Sequence, residues 1–175
     1  ATVFLIRSIT PRPMLYTKLA IGGALAVSIA VVVYKMRWLT KAGAGLGGAL
    51  GAHVVLVGGT AWALPLAAFV VSGSLLARLE GPSNETTPPR TAAQVLANGG
   101  VAWAALAVLP YTDGMVAYLA FTGALATATA DTWGTEIGTR WHGQAWSLAT
   151  GRWVKAGASG AISGAGTAAG VVGAG

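Results

Sequence analysis

From Leu15 to Tyr34 the chain runs through twenty residues with Lys18 as the one charge. A helix of that length rises about 30 Å, the depth of a bilayer's hydrocarbon core, so this run reads as a membrane span. It follows the helix-resistant Pro11-Arg12-Pro13, and Lys18 has a stem long enough to snorkel to the interface. Further apolar stretches extend from about Gly43 to Thr60, Trp62 to Leu76, Ala92 to Leu109, Gly114 to Ala130, and from near Ala156 to the end. Gly58-Gly59-Thr60 and Pro65 predict a tight turn between the second and third, and Pro110 to Gly114 a turn between the fourth and fifth. Charged residues make up 9% of the chain, against roughly 25% in soluble domains, and the apolar runs are dominated by the small residues that let membrane helices approach closely. The expected fold is therefore all-α: a polytopic transmembrane helical bundle of about six Gly/Ala-rich spans, in a single integral-membrane domain over residues 1–175. The start without Met and the apolar ending lead to the expectation that one or both ends are truncated.

Charge orients the spans. The loops after spans one, three and five hold Lys35, Arg37, Lys41, Arg78, Arg90, Arg140, Arg152 and Lys155, while the opposite side holds Arg7, Arg12 and Lys18. Eight against three places those three loops in the cytoplasm, and explains the basic pI without nucleic acid as a partner. Cysteine is absent, which excludes disulfides and thiolate metal sites.

Three constellations carry the chemistry. Asp131-Thr-Trp-Gly-Thr-Glu136-Ile-Gly138 contains two of only five acidic residues, at the end of an apolar run. A carboxylate near hydrocarbon must be paired, protonated or bound to a cation. Asp131 and Glu136 are five apart, so they converge on one ion only if the helix ends near Gly134. Mg²⁺ suits such hard ligands, with hydroxyls from Thr132 and Thr135, and the structural alternative is a salt bridge from Glu136 to Arg140. Arg90, Gln94 and Asn98 form a polar stripe if Pro88-Pro89 opens a helix, the alternative being polar glue between helices. Gly157 to Gly170, with Ser159, Gly160 and Ser163, follows the basic Arg152 and Lys155. It reads as an anion site at a helix N-terminus or as small-residue packing.

Other signals are set aside. Gly43-x-Gly45-x-x-Gly48 has no strand before it. His53 reads as a packing residue, His142 has no ligand-spaced partner, and the Asn84-Glu-Thr86 sequon falls on the cytoplasmic side.

Taken together, Arg90-Thr-Ala-Ala-Gln94-Val-Leu-Ala-Asn98-Gly-Gly100, Ala130-Asp-Thr-Trp-Gly-Thr-Glu136-Ile-Gly138 and the Gly157–Gly170 block resemble the integral-membrane family that contains the chloroplast phytyl-phosphate kinase and the transmembrane-protein-19-like proteins. The resemblance covers the chain from about residue 40 onward. It implies a phosphotransferase that converts a phytyl- or geranylgeranyl-type isoprenoid monophosphate to the diphosphate, with a nucleoside triphosphate, CTP favoured, as donor and Mg²⁺ as cofactor. Carried over by position, Asp131 and Glu136 would hold the metal, with Arg90 and Asn98 beside them in catalysis. Gln94, Thr132, Thr135, Arg152, Lys155, Ser159, Gly160 and Ser163 would contact nucleotide or substrate at the cytoplasmic face. The rivals are an ion- or proton-coupled transporter or channel, for which Asp113 is the available opposing acid, and a non-catalytic subunit of a membrane complex. A homo-oligomer stays open.

Overall fold

The computed structural model describes residues 12–78, 88–140 and 143–175. The N-terminal eleven residues, the Glu80 to Thr87 stretch with its sequon, and His142 lie outside them. The described chain is mostly helical: α1 (Arg12–Lys35), α2 (Lys41–His53), α3 (Thr60–Leu76), α4 (Ala92–Ala107), α5 (Gly114–Arg140) and α6 (Gly164–Ala174). A three-stranded sheet of β1 (Gln144–Ser147), β2 (Arg152–Lys155) and β3 (Ala161–Ile162) interrupts the helices between α5 and α6. Two compact units divide the fold, Ala1–Leu66 with Pro89–Thr122, and Ala67–Pro88 with Gly123–Gly175.

Local chemistry explains most boundaries in the first unit. α1 starts at Arg12 rather than beyond Pro13, because proline in a first turn surrenders no helical bond. It ends in a Schellman motif: Trp38 N–H donates to the Val33 carbonyl at 3.0 Å and Arg37 N–H to that of Tyr34 at 2.8 Å. Arg37 occupies the left-handed position, φ 56°, usually given to glycine. Thr40 caps α2 by accepting from Gly43 N–H at 3.2 Å. α2 runs into a π-helical turn, Val54–Gly58, and the chain breaks at Gly59, φ 73°, where the sequence called for a turn. Pro65 takes no part in that break and sits inside α3. It cannot donate to the Ala61 carbonyl, and the Tyr118 hydroxyl donates there instead at 3.3 Å.

Around these turns, α1 and α2 approach through Gly48, whose missing side chain lets the Ala26 carbonyl and Ala30 press against its backbone. Trp62 packs on Phe121 and Tyr118, with ring centroids 4.9 and 5.3 Å away, and Phe121, Leu106 and Ala102 are buried. His53 is indeed a packing residue: its Nδ1 accepts from Trp103 Nε1 at 2.7 Å.

In the second unit the helix expected to end near Ala130 does not. α5 runs unbroken through Asp131, Gly134 and Gly138 to Arg140, 27 residues or about 40 Å. Thr127, Thr129 and Thr139 each donate a hydroxyl to the carbonyl four residues back, satisfying polar groups within the helix. Gly134 and Gly138 face Gly166 and Gly170 of α6 at backbone contact, so the glycines pack rather than break the helix. Trp133 Nε1 donates to Ser72 Oγ at 3.2 Å. The loop after the fifth span, with its basic Arg140, Arg152 and Lys155, holds the end of α5 and the β1–β2 hairpin, which pairs Trp146 with Trp153. α6 accordingly begins at Gly164, not Ala156.

Among the described residues, two helical stretches, Lys41–Gly58 and Ala92–Tyr111, are long and apolar enough to cross a membrane, and Leu19–Lys35, Thr60–Leu76 and Gly164–Ala174 are shorter apolar helices.

Candidate functional site

Asp131, Thr135 and Thr139 recur every four residues and share one face of α5, the face that also carries Gly134 and Gly138. Because the two glycines admit α6 to backbone contact, that face meets the turn Gly157–Ser163 and the N-terminus of α6. Between them lies a cavity of about 440 Å³, lined by Asp131, Thr135, Ser159, Gly160, Ser163 and Thr167 among others. Its volume is in the range of small-molecule sites.

The turn is built by its glycines. Gly157 and Gly160 adopt φ of 91° and 72°, a region where a Cβ is strained. Gly160 also presents its carbonyl to Leu148 N–H at 3.0 Å, tying the turn to the hairpin. Ser163 then caps α6, its Oγ accepting from Gly166 N–H at 3.1 Å. The first-turn amides of Gly164 and Ala165 have no partner inside the helix, so the positive end of the α6 dipole opens beside the serines.

Sequence-derived site residues divide cleanly. Asp131, Thr135, Ser159, Gly160 and Ser163 all line the cavity. Asp131 is exposed into it, and among the described residues its carboxylate has no hydrogen-bond or ion-pair partner. Glu136 does not join it. With α5 continuous, Glu136 points around the helix and pairs with Arg140 at 2.9 Å, while the same guanidinium donates to the Glu136 carbonyl at 2.6 Å. The expected convergence of the two carboxylates is thus corrected, and no group of three His, Cys, Asp or Glu converges anywhere among the described residues. Thr132 is buried at 7% exposure and lies outside the lining, as do the exposed Arg152 and Lys155.

The Arg90–Asn98 stripe belongs to the first unit, and its geometry also needs correction. Pro88-Pro89 does not open the helix; Thr91 does, as N-cap of α4. Gln94 completes a capping box, its Oε1 accepting from Thr91 N–H at 2.8 Å, so its side chain is engaged by the backbone. Arg90 stands before the helix and bridges to Leu39, its N–H donating to the Trp38 carbonyl and its carbonyl accepting from Thr40 N–H, each at 3.0 Å. Asn98 is half-buried in the second turn of α4. Asp113, the acid a transport path would use, caps α5 through Met115 and Val116 N–H at 2.8 and 3.3 Å.

Sequence reasoning passed over Thr139 and Thr167 as lining residues. The signal for Thr139 was present, since Asp131-x₃-Thr135-x₃-Thr139 is a helical face once α5 is continuous.

A Gly/Ala-packed helical protein with apolar membrane-length segments, carrying a carboxylate and a hydroxyl-rich helix N-terminus beside one cavity, has the build of a membrane protein. Its family follows from the sequence match: a family model described as Integral membrane protein DUF92 matches residues 24–175, and the chain belongs to that family. The family includes the phytyl-phosphate kinase and the transmembrane-protein-19-like proteins. No curated protein and no solved structure matches the chain.

Proposed function

We propose that this chain is an isoprenoid-phosphate kinase, transferring the γ-phosphoryl group of a nucleoside triphosphate, CTP favoured, to a phytyl- or geranylgeranyl-type monophosphate. The observation that carries the reading is the cavity shared by Asp131 and the Gly157–Ser163 turn at the α6 N-terminus. A carboxylate alone would suit many cations, and a glycine-rich helix start alone many anions; one cavity with both suits a metal-bound phosphate chain.

The donor set fits Mg²⁺, which takes one or two protein carboxylates and completes its shell with phosphate oxygens and water. Asp131 is the carboxylate proposed to hold it, and hydroxyls of Thr135 and Thr167 lie in the same lining. Bound there, Mg²⁺ would supply charge neutralisation for the triphosphate. The chain's own residues orient the phosphates: the Ser159 and Ser163 hydroxyls, both in the cavity lining, donate to their oxygens. An oxygen of the lipid phosphate attacks the γ-phosphorus, the bond to the β-phosphate oxygen breaks, and the nucleoside diphosphate leaves. No protein nucleophile is required.

Glu136 acts in this reading by fixing Arg140 rather than by binding metal. Arg90 and Asn98 are proposed as phosphate contacts on the family resemblance alone, and Arg152 and Lys155 as outer attraction for the anions. About six spans, with the basic loops and the cavity facing the cytoplasm, give the nucleotide access from its own compartment. The transporter reading is disfavoured because Asp113 is already committed to capping α5.

The test is transfer of labelled γ-phosphate from CTP, ATP, GTP or UTP to phytyl and geranylgeranyl monophosphate by the purified full chain with Mg²⁺. Diphosphate formed by the wild type and lost in Asp131→Asn is expected. No product with any donor, from folded protein, overturns the reading for these substrates.

A further inference from the structure

The hairpin between α5 and α6 buries the wrong residues for a water-facing sheet. Ala145 and Ser147, on one face, are 2% and 7% exposed, while the larger apolar side chains stand on the other. Trp146 lies opposite Trp153 in one direction and Ile162 in the other, and directly opposed residues share a face. The three form a row across the outer face, 38%, 62% and 49% exposed, with the two indoles edge to face at 5.2 Å. Leu148, two residues beyond Trp146, is exposed as well, and Lys155 opposite Gln144 adds an ammonium to the same face. Residues 143–163 contain Arg152 and Lys155 and no acid.

We propose that this outer face docks on the anionic headgroup layer of the membrane in which the chain itself stands. Three observations select that occupant. The sheet is tethered between two helices of an integral membrane protein, β1 starting four residues after α5 ends and α6 two residues after β3, so it is held close to where spans leave the hydrocarbon. Its exposed apolar groups are led by paired tryptophans, whose rigid rings with one polar N–H favour the headgroup level. Its charge is of one sign and complements anionic lipid, which Lys155 reaches from an apolar face by its long stem. Docking there would steady the Gly157–Ser163 turn that follows β2, through the Gly160 carbonyl's bond to Leu148. The proposal rests on membrane residence and not on the kinase reading.

The chain has no cysteine, so single cysteines can be placed without background. Full-length Gln144→Cys, Ile162→Cys and Thr150→Cys proteins, labelled with an environment-sensitive fluorophore, are reconstituted in vesicles of phosphatidylcholine with one-third phosphatidylglycerol. Gln144→Cys leaves the tryptophan row whole, which guards against loss of the fold at Ile162. Labels at 144 and 162 are expected to emit to the blue of the turn label at 150. They should be quenched by lipids carrying a nitroxide near the headgroup and be shielded from aqueous iodide. Adding Lys155→Glu should reduce that lipid quenching. Iodide quenching at 144 and 162 equal to that at 150 overturns the proposal. Shielding without lipid quenching also overturns it and assigns the face to a protein neighbour, and insensitivity to Lys155→Glu overturns its anionic part.

Discussion

Alanine at Gly166 tests the close approach of α5 and α6 on which the cavity depends. A Cβ there would stand 2.8 Å from the Gly134 carbonyl oxygen, 3.0 Å from Ser163 Oγ and 3.2 Å from Gly138 Cα. Two of those three atoms are backbone, so the neighbours cannot rotate away and the helices must part. Overpacking of this kind costs about 1–3 kcal/mol. Alanine also gains about 1 kcal/mol over glycine in a helix, so the net loss in Gly166→Ala is about 0–2 kcal/mol. Gly164→Ala is the matched control, because a Cβ at that position meets nothing within 4 Å and only the gain remains. The pair should therefore differ by about 1–3 kcal/mol, roughly a 5- to 150-fold change in the folded-to-unfolded ratio. Reversible unfolding in mixed detergent micelles, followed by tryptophan emission, reads the difference. If Gly166→Ala proves as stable as Gly164→Ala, the helices do not meet at Gly166 and the cavity wall is wrongly drawn.

Other expectations follow from single contacts. Tyr118→Phe leaves the Ala61 carbonyl without the donor that replaces Pro65's missing N–H, costing about 1 kcal/mol; Pro65→Ala restores the helical bond and should remove most of that cost, as a double-mutant cycle will show. Arg37→Gly relieves a left-handed φ at about 1–2 kcal/mol but adds unfolded-state freedom of about 0.5–1 kcal/mol, so a small gain in thermal stability is expected. Thr91→Ala removes the α4 cap and should cost about 0.5–2 kcal/mol, while Gln94→Ala should lower stability with little change in nucleotide KM. Asp131→Asn should lower phosphotransfer at least tenfold, whereas Glu136→Gln should act mainly on stability, both read by kcat and thermal midpoint on the same preparations.

The helices were legible wherever apolar length dominated, because a long run of small and branched residues in lipid has no other way to satisfy its backbone. The break at Gly59 was legible for a related reason, since only a residue without a Cβ takes φ 73° easily. Gly134 was ambiguous from sequence alone: a glycine between two carboxylates can end a helix or seat another backbone, and only Gly166 opposite it decides. That one ambiguity displaced the Asp131–Glu136 pairing. The hairpin was not legible, because Gln-Ala-Trp-Ser and Arg-Trp-Val-Lys on either side of Gly151 each place two apolar residues side by side and so lack the strict apolar/polar alternation that marks a strand. Thr91-x-x-Gln94 is a capping box in letters, so the helix start at Thr91 was legible in the chain. Composition marked Asp131 as costly near hydrocarbon, while its place beside the Gly157–Ser163 turn came from the family resemblance and not from composition or spacing.

The most direct measurement is where a nucleotide binds. Full-length protein is photolabelled with azido-CTP in the presence of Mg²⁺, with unlabelled CTP as competitor, and the adducts are mapped by mass spectrometry. Competed adducts within residues 131–139 or 157–167, lost in Asp131→Asn, are the result this account predicts. Competed adducts confined to other segments, or none from folded protein, would contradict it.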